Sequence, residues 1–248
     1  MIKRENDEVI QEATHQNKFE ELTEAIIERL NKNPNLLFIK PCNKRNALIF
    51  DLCTRDDFAP LLEKLISRRA VDKDAFVELS QERYPLIIVA LAYKAKKNTQ
   101  ILLAAQPDLN ITSINPHAVL SKCTPLSLAI ENEDPEAVEL VLQSYAIQEN
   151  KFQLPALISQ GIVNSSCDMV RLPLMQAVDR ICMSNKRDAL LQTIKVLLSH
   201  KADPNCHDAY GARLGNNKGI FTADTPYELA EARGYQDVMA LFDMYSRK

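Results

Sequence analysis

The chain has 248 residues, 46% of them apolar, with 30 basic and 33 acidic residues and a formal net charge of −3. This composition can bury a sizeable core, but it lacks the basic excess with which nucleic-acid-binding proteins neutralise phosphates. No apolar run approaches the roughly 18 residues that cross a bilayer, and the polar N-terminal stretch lacks the apolar segment of a signal peptide. We therefore expect a cytoplasmic protein that binds neither nucleic acid nor membrane.

Six cysteines are scattered along the chain without a C-x-x-C pair. In a chain without a signal peptide, such spacing indicates reduced and mostly buried thiols rather than a disulfide framework or a zinc site. Glycine is scarce, at five residues, which suits a helical protein better than a β-protein with many tight turns. We expect no metal and no cofactor.

Two segments of the N-terminal third carry apolar residues at helical spacing, and each is long enough for a helix pair. In residues 9–33 these positions are Phe19, Leu22, Ile26, Ile27 and Leu30. In residues 46–70 they are Leu48, Ile49 and Leu52, then Leu61, Leu62, Leu65 and Ile66. The outermost pair should present a polar face, because a stack of repeats needs such a cap to stay in solution.

A short phrase then recurs four times along the chain. Its clearest copies are Thr124–Ala129 (TPLSLA) and Thr225–Ala230 (TPYELA), and its weaker copies are Tyr84–Val89 (YPLIIV) and Leu172–Ala177 (LPLMQA). A threonine hydroxyl can cap a helix, and proline is tolerated at the first helical position, where its missing N–H would have no partner. The alanine lets a neighbouring helix approach closely. Each phrase therefore predicts the start of a helix.

A second apolar helix follows the phrases, for example at residues 137–142, 193–205 and 237–242. Residues 193–205 (TIKVLLSHKADPN) resemble the second helix and exit turn of an ankyrin repeat, and Gly234 lies where that repeat turns between its helices. The resemblance implies an all-α ankyrin-repeat solenoid of about five to six stacked helix pairs with extended hairpin loops. It implies degenerate pairs that cap the stack in residues 1–80 and ankyrin repeats with insertions in residues 81–248, in one continuous solenoid.

The chain departs from the ankyrin pattern in two ways. The histidine expected after the Thr-Pro-Leu phrase is replaced by Ile87, Ser127, Met175 and Glu228, so its backbone bonds must be replaced or lost. The four phrase prolines are separated by 40, 48 and 53 residues, whereas the ankyrin period is about 33. Such degenerate arrays with insertions resemble ankyrin-repeat effectors of intracellular bacterial pathogens, which implies a host protein as partner.

The longest unusual segment, residues 206–224, holds three of the five glycines. Residues 214–220 have the composition of a turn between two short strands, so we expect a β-hairpin, here called the finger. The residue types at its predicted binding positions are enriched at interface hot spots. These positions are Tyr210, Arg213, Leu214 and Phe221. The alternative is a variable loop without a partner.

Two further insertions and two basic clusters are explained more simply. Residues 147–171 predict a short extra helix that fills space, and residues 178–187 predict lengthening of both helices of their pair. The clusters Lys94, Lys96 and Lys97 and Arg68 and Arg69 are typical of a solvated face, since no aromatic residues are interleaved with them.

Candidates for chemistry are weak. Cys206, His207 and Asp208 are consecutive, whereas the members of a catalytic triad converge from separate parts of a fold. His200 with Cys206 and His207 lacks the fourth ligand of a structural zinc site. No phosphate-loop, dinucleotide or zincin motif occurs.

The leading hypothesis is therefore a monomeric protein-binding module without a reaction of its own. As an adaptor, an inhibitor or a host-targeting effector, it would bind a partner protein through its concave face and the finger. An effector would be secreted into a host cell without a classical signal peptide. The alternative is an enzyme with a cryptic active site in the N-terminal third, where the repeats choose the substrate. A third hypothesis is a structural subunit of a larger assembly, which predicts a large exposed apolar patch.

Overall fold

The computed structural model describes residues 20–21, 23–30, 32–33, 48–79, 82–109, 124–152, 172–207, 212–214 and 221–246. Most of these residues are helical. Residues 23–30 form part of a first helix, α1, in which Ile27 and Leu30 are buried as predicted. The predicted core positions Phe19 and Leu22 lie outside the described residues.

In the described part of the chain, ten further helices and two hairpins follow α1. The helices are α2 (Leu48–Thr54), α3 (Ala59–Ser67), α4 (Leu86–Ala92), α5 (Lys96–Ala104), α6 (Pro125–Glu131), α7 (Pro135–Phe152), α8 (Pro173–Arg180), α9 (Arg187–Ser199), α10 (Pro226–Ala232) and α11 (Gln236–Ser246). A 3-10 turn, Asp56–Phe58, joins α2 to α3. The hairpins are β1 (Phe76–Leu79) with β2 (Glu82–Pro85), and β3 (Ala212–Leu214) with β4 (Phe221–Ala223).

The described helices from α2 onward form five pairs, which we number units 1 to 5. Within a unit the two helices pack against each other, and each unit packs on the next layer by layer. The first helices stack in the order α2, α4, α6, α8, α10, and the second helices in the order α3, α5, α7, α9, α11. This arrangement confirms the predicted all-α solenoid, and the strands that the structure describes form hairpins between units.

One alanine in each of four first helices brings neighbouring units close together. Ala90, Ala129, Ala177 and Ala230 are each fully buried. A side chain of one carbon lets two helix backbones approach, and the apolar residues around it fill the remaining space. Three of the four lie at the alanine of the predicted phrase. The fourth, Ala90, lies one residue beyond the phrase in unit 2.

Unit 2 begins one residue later than the phrase predicts. The phrase aligned Pro85 with Pro125, which is the first residue of α6, but Pro85 caps α4 and that helix begins at Leu86. Pro85 is extended, with φ −55° and ψ 147°, because it is also the last residue of β2. The hairpin therefore displaces the start of the helix.

Hydrogen bonds at the end of the helix confirm this register. The N–H of Ala95 donates to the carbonyl of Ala90, as the N–H of Asp134 donates to the carbonyl of Ala129. Ala90 is therefore the equivalent of Ala129. The prediction that Val89 holds this position is wrong by one residue, because the weak phrase showed no alanine and the proline was the only guide.

Capping boxes replace the missing histidine in two units. In α6 the hydroxyl of Thr124 accepts the N–H of Ser127, and the Ser127 hydroxyl accepts the N–H of Thr124 at 2.9 Å. In α10 the hydroxyl of Thr225 accepts the N–H of Glu228, whose carboxylate accepts the N–H of Thr225 at 3.2 Å. The helices α4 and α8 have no side-chain cap, so there the bonds are lost.

The turns inside the units place residues in the left-handed region. Lys94, Glu133 and Gly234 have φ of 56°, 57° and 69°. The same conformation follows the second helices at Arg69, Gln106 and Lys201. Only one of these six positions holds glycine, the residue that adopts this conformation without strain. The scarcity of glycine therefore costs the fold some stability at nearly every turn.

The predicted insertions lie mainly between units. The turns inside units 2, 3 and 5 have three residues each, at 93–95, 132–134 and 233–235. The turn of unit 4, at 181–186, is longer, so much of that insertion forms a turn rather than helix. The helix predicted near residue 147 is a continuation of α7 up to Phe152, and residues 153–171 lie outside the described residues.

We predict that Lys201→Gly stabilises the fold by roughly 1 kcal/mol, because glycine removes the left-handed strain at φ 67°. The midpoint temperature of thermal unfolding should rise by about 2–4 °C. Lys201→Ala is the control, since alanine removes the charge but keeps the Cβ. An equal rise in both variants would show that charge, not backbone strain, limits stability there.

We also predict that Ala129→Asp destabilises the stack by roughly 3–5 kcal/mol, because it places an unpaired carboxylate in a fully buried contact between units. The same effect is expected for Ala177→Asp. Ala240→Asp, at an exposed position of α11, is the control and should unfold almost as the parent does. Denaturant unfolding followed by circular dichroism measures the difference, and similar midpoints for all three variants would contradict this packing.

Candidate functional site

The finger forms the predicted hairpin. Strands β3 and β4 pair in antiparallel register, with Leu214 opposite Phe221 and Arg213 opposite Thr222. The structure thus places the backbone of three predicted binding residues at two adjacent paired positions of the hairpin. The fourth, Tyr210, lies outside the described residues, as do residues 215–220 between the strands.

The base of the finger is fixed to unit 5. Ala223, the last residue of β4, is 3% exposed, and β4 packs on α10. Before the finger, the buried Pro204 accepts the N–H of Tyr227 through its carbonyl at 3.0 Å. At its last residue, the N–H of Asp224 donates to the Glu228 carboxylate at 2.9 Å. Both ends of the insertion are therefore held where the helix pair begins.

A second hairpin, β1 with β2, precedes unit 2 and was not predicted. Its register pairs Val77 with Tyr84, and both of these residues are buried. The guanidinium of the exposed Arg83 lies 5.1 Å from the centre of the Phe76 ring, within the range of a cation–π contact. A signal was present in the sequence, since apolar residues alternate around a short connection. Hairpins therefore precede both unit 2 and unit 5.

The first-helix layer offers little exposed surface along the middle of its helices. Every side chain of α4 from Leu86 to Leu91 is buried, and so is every side chain of α6 from Pro125 to Ile130. Exposed groups of these two units begin at the helix ends, where Tyr93 is 55% exposed and Glu131 is exposed. A partner that meets the first-helix face of these units would therefore contact the helix ends and the turns.

Polar side chains bridge successive units at these turns. The Asn132 amide donates to the Leu91 carbonyl at 2.8 Å. One unit further on, Arg180 pairs with Glu133 at 3.2 Å. These bridges join residues more than 40 positions apart in the sequence and hold each turn against its neighbour.

The last interface is joined by two arginines that point in opposite directions along the stack. Arg233 of unit 5 pairs with Asp179 of unit 4 at 2.7 Å, and it also contacts the Cys182 thiol. Arg187 of unit 4 pairs with Asp237 of unit 5 through two of its nitrogens. Paired contacts of this geometry are stronger and more directional than single ones. The unit that carries the finger is therefore held firmly on the stack.

The carboxylate of Glu133 has its pKa lowered by its surroundings. Burial alone would raise the pKa, but hydrogen bonds from Ser184 and Arg180 and the charges of Arg180 and Lys186 lower it overall. A lowered pKa in the folded state means that this group stabilises the fold above its unfolded pKa. The stabilisation is lost as the pH falls through the folded pKa.

The basic clusters are partly neutralised. Lys96 pairs with Glu136 at 3.0 Å, and this hydrogen bond raises the pKa of Lys96. Arg68 pairs with Glu24 at 2.6 Å, and that hydrogen bond lowers the pKa of Glu24. These contacts agree with the interpretation of a solvated face.

No described group of residues favours catalysis or metal binding. His200 contacts Glu139 of the preceding unit at 3.1 Å, which is a contact between units. Burial raises the pKa of Cys53 to about 12, so its thiol stays protonated and unreactive. Asp208 of the predicted Cys-His-Asp run lies outside the described residues. Within the described ranges, no three His, Cys, Asp or Glu residues are grouped closely enough to hold a metal ion.

The described helices also include none with the length and apolarity that crossing a bilayer needs.

No protein-family model and no curated protein sequence matches the chain. Among solved structures it is similar to an ankyrin repeat domain from Acinetobacter baumannii AYE, with a TM-score of 0.53. This chain has the ankyrin-repeat fold. The similarity covers 90% of this chain and 94% of that one at 19% sequence identity, so it extends over almost the whole solenoid. At this identity the structural similarity shows the fold alone.

We predict that Glu133→Gln destabilises the ankyrin solenoid by about 1–2 kcal/mol at pH 7, because Arg180 loses its charged partner. The difference from the parent should begin to shrink as the pH falls below the unfolded pKa of a glutamate, about 4.3, and should vanish once the pH is below the lowered pKa of the folded carboxylate. Urea unfolding at several pH values measures this. Glu136→Gln is the control, since its carboxylate is 76% exposed and exposed pairs add little. A Glu133 effect that does not change with pH would contradict the ionic explanation.

Proposed function

We propose that the chain is a protein-binding module, acting as a monomeric adaptor or inhibitor without a reaction of its own. The finger, residues 206–224, makes the main contact, through Tyr210, Arg213, Leu214 and Phe221. One observation carries this proposal, namely the paired hairpin β3–β4 that departs from the repeat and is fixed at its base to unit 5.

The fixed base supports binding for an energetic reason. A two-stranded hairpin is marginally stable by itself, and a partner that had to order it would lose part of the binding free energy. Here the strands are already paired, and α10 contacts β4. The residue types of the finger include tyrosine and arginine, which dominate binding hot spots.

The proposed concave face, formed by the first helices, offers few exposed side chains along α4 and α6. The side chains along the middle of α4 and α6 are buried. The proposed contacts from this face are therefore limited to the helix ends and to the short connections inside the units, for example Tyr93 and Glu131. Asp179 of unit 4 is equivalent to Glu131, and Arg233 of unit 5 is equivalent to Tyr93. These two residues are paired with each other. A partner there would meet a surface that is already ordered.

We further propose that the partner is a host protein and that the chain is a bacterial effector. This role would place it in the cytoplasm, or in a host cell after secretion without a classical signal peptide. The degenerate repeats and the long connections between units support this role. A bacterial ankyrin repeat domain among the similar structures agrees with it.

The enzyme alternative has no observation in its favour within the described residues. In and just after the N-terminal third, residues 48–79 and 82–92 form a helix pair, a hairpin and a buried first helix, on the plan of the later units. Strands β1 and β2 lie on either side of the predicted boundary between the capping pairs and the repeats, residues 80 and 81, and they pair with each other.

The finger is tested by shortening residues 210–221 to a three-residue turn. Folding should change little, because loop-closure entropy depends weakly on length. The affinity for a partner isolated with the whole chain and identified by mass spectrometry should fall by about 2 kcal/mol or more. Isothermal titration calorimetry measures both forms.

Single substitutions then localise the loss. Tyr210→Ala, Arg213→Ala and Phe221→Ala should concentrate it in one or two residues, as is typical of hot spots. Lys195→Ala, at an exposed position of α9, is the control. If the shortened chain binds the partner as tightly as the parent, the finger has no binding role, and the turns of the first-helix face become the site.

A further inference from the structure

A shallow hollow that is open to solvent lies between the start of α5 and the start of α7. It is at the turns inside units 2 and 3. Because the two helices of a unit are antiparallel, these turns lie at the opposite edge of the stack from the connections between units, where the finger is inserted. The hollow is therefore separate from the proposed finger site.

The floor of the hollow is apolar and its wall is fixed. Leu91, Ala137 and Leu140 contribute apolar atoms, and polar side chains surround them. Asn132 in the wall holds the Leu91 carbonyl at 2.8 Å, and Asp134 accepts the N–H of Ala137 at 3.1 Å. An apolar recess with an ordered polar rim is the form that hot-spot pockets take at protein interfaces.

The charges at the rim are not equally satisfied. Lys96 pairs with Glu136 at 3.0 Å and lies 4.0 Å from Asp134, so its ammonium has two carboxylates near it. Lys94, also at the rim, is exposed and has no ion pair to any residue that the structure describes. The charge left without a partner at this rim is therefore positive.

We propose that this hollow receives one aliphatic side chain of a partner protein, with an acidic residue beside it that pairs with Lys94. The inference rests on the proposed function and adds a second contact at the opposite edge of the stack. The apolar floor selects leucine, isoleucine or methionine. The neighbouring carboxylate is selected by Lys94, since the carboxylates already present are engaged with Lys96 and with their own helix.

A peptide library tests the inference without knowledge of the natural partner. Random peptides displayed on phage are selected on the intact protein, and the enriched sequences are synthesised and titrated. We expect them to share an aliphatic residue next to aspartate or glutamate. Ala137→Leu, which fills the floor from α7, should weaken binding by about tenfold or more. Lys94→Glu should weaken it by a similar factor at low salt and by less at high salt.

Two controls separate this site from others. Lys97→Glu makes the same charge change as Lys94→Glu at an exposed position of α5 that does not line the hollow, and the chain with the shortened finger removes the other proposed site. Both should bind the selected peptides as the parent does. Thermal unfolding checks that Ala137→Leu is folded, and if it is not, the exposed Lys94→Glu variant decides.

Four results would overturn the inference. They are a failure to enrich acidic-aliphatic peptides, binding of such peptides to folded Ala137→Leu as tightly as to the parent, equally tight binding to Lys94→Glu at low salt, and equally tight binding of isocaproate alone, which would indicate a small-molecule site. None of these results affects the finger proposal. That proposal fails if the chain with the shortened finger binds the natural partner as tightly as the parent does.

Discussion

The whole structure depends on the close approach of the first helices. A single helix pair cannot bury its apolar face, so each unit is stable only against its neighbours. The buried alanines, Ala90, Ala129, Ala177 and Ala230, make that approach possible, and side chains such as Leu86, Met175 and Leu229 fill the space around them. Both the finger and the hollow take their positions from this stack.

Close stacking also explains why the polar contacts lie at the turns. The middles of α4 and α6 are buried on all sides and can accept only apolar or capped groups, such as Ser127 in its capping box. Polar side chains long enough to cross between units are therefore placed at the helix ends. There Asn132, Arg180 and Arg233 each contact the preceding unit. The contacts couple neighbouring units, so that a partner bound at one turn meets an ordered surface.

The two edges of the stack tolerate length changes differently. A turn inside a unit must return the chain at once so that its two helices pack, and three of the four such turns between α4 and α11 have three residues. The connections between units, residues 68–85, 105–124, 153–172 and 200–225, are much longer. Additions there leave the stack unchanged, which is why loops at this edge can acquire binding functions. The finger is such a connection. It contains the paired hairpin β3–β4 and leads into the last unit.

Local patterns in the sequence were enough to predict the helix pairs, the capping threonines and the finger hairpin. Each depends on residues close together in the chain, such as Thr225 with Glu228 or the glycines around Leu214. The register of unit 2 was missed for a local reason, because the hairpin that ends at Pro85 displaces the start of α4. The burial of α4 on all sides and the bridges between units could not be predicted. They depend on contacts between residues 41 to 61 positions apart, such as Asn132 with Leu91 and His200 with Glu139. Such contacts exist only once the units are stacked, because no local pattern specifies which faces will meet.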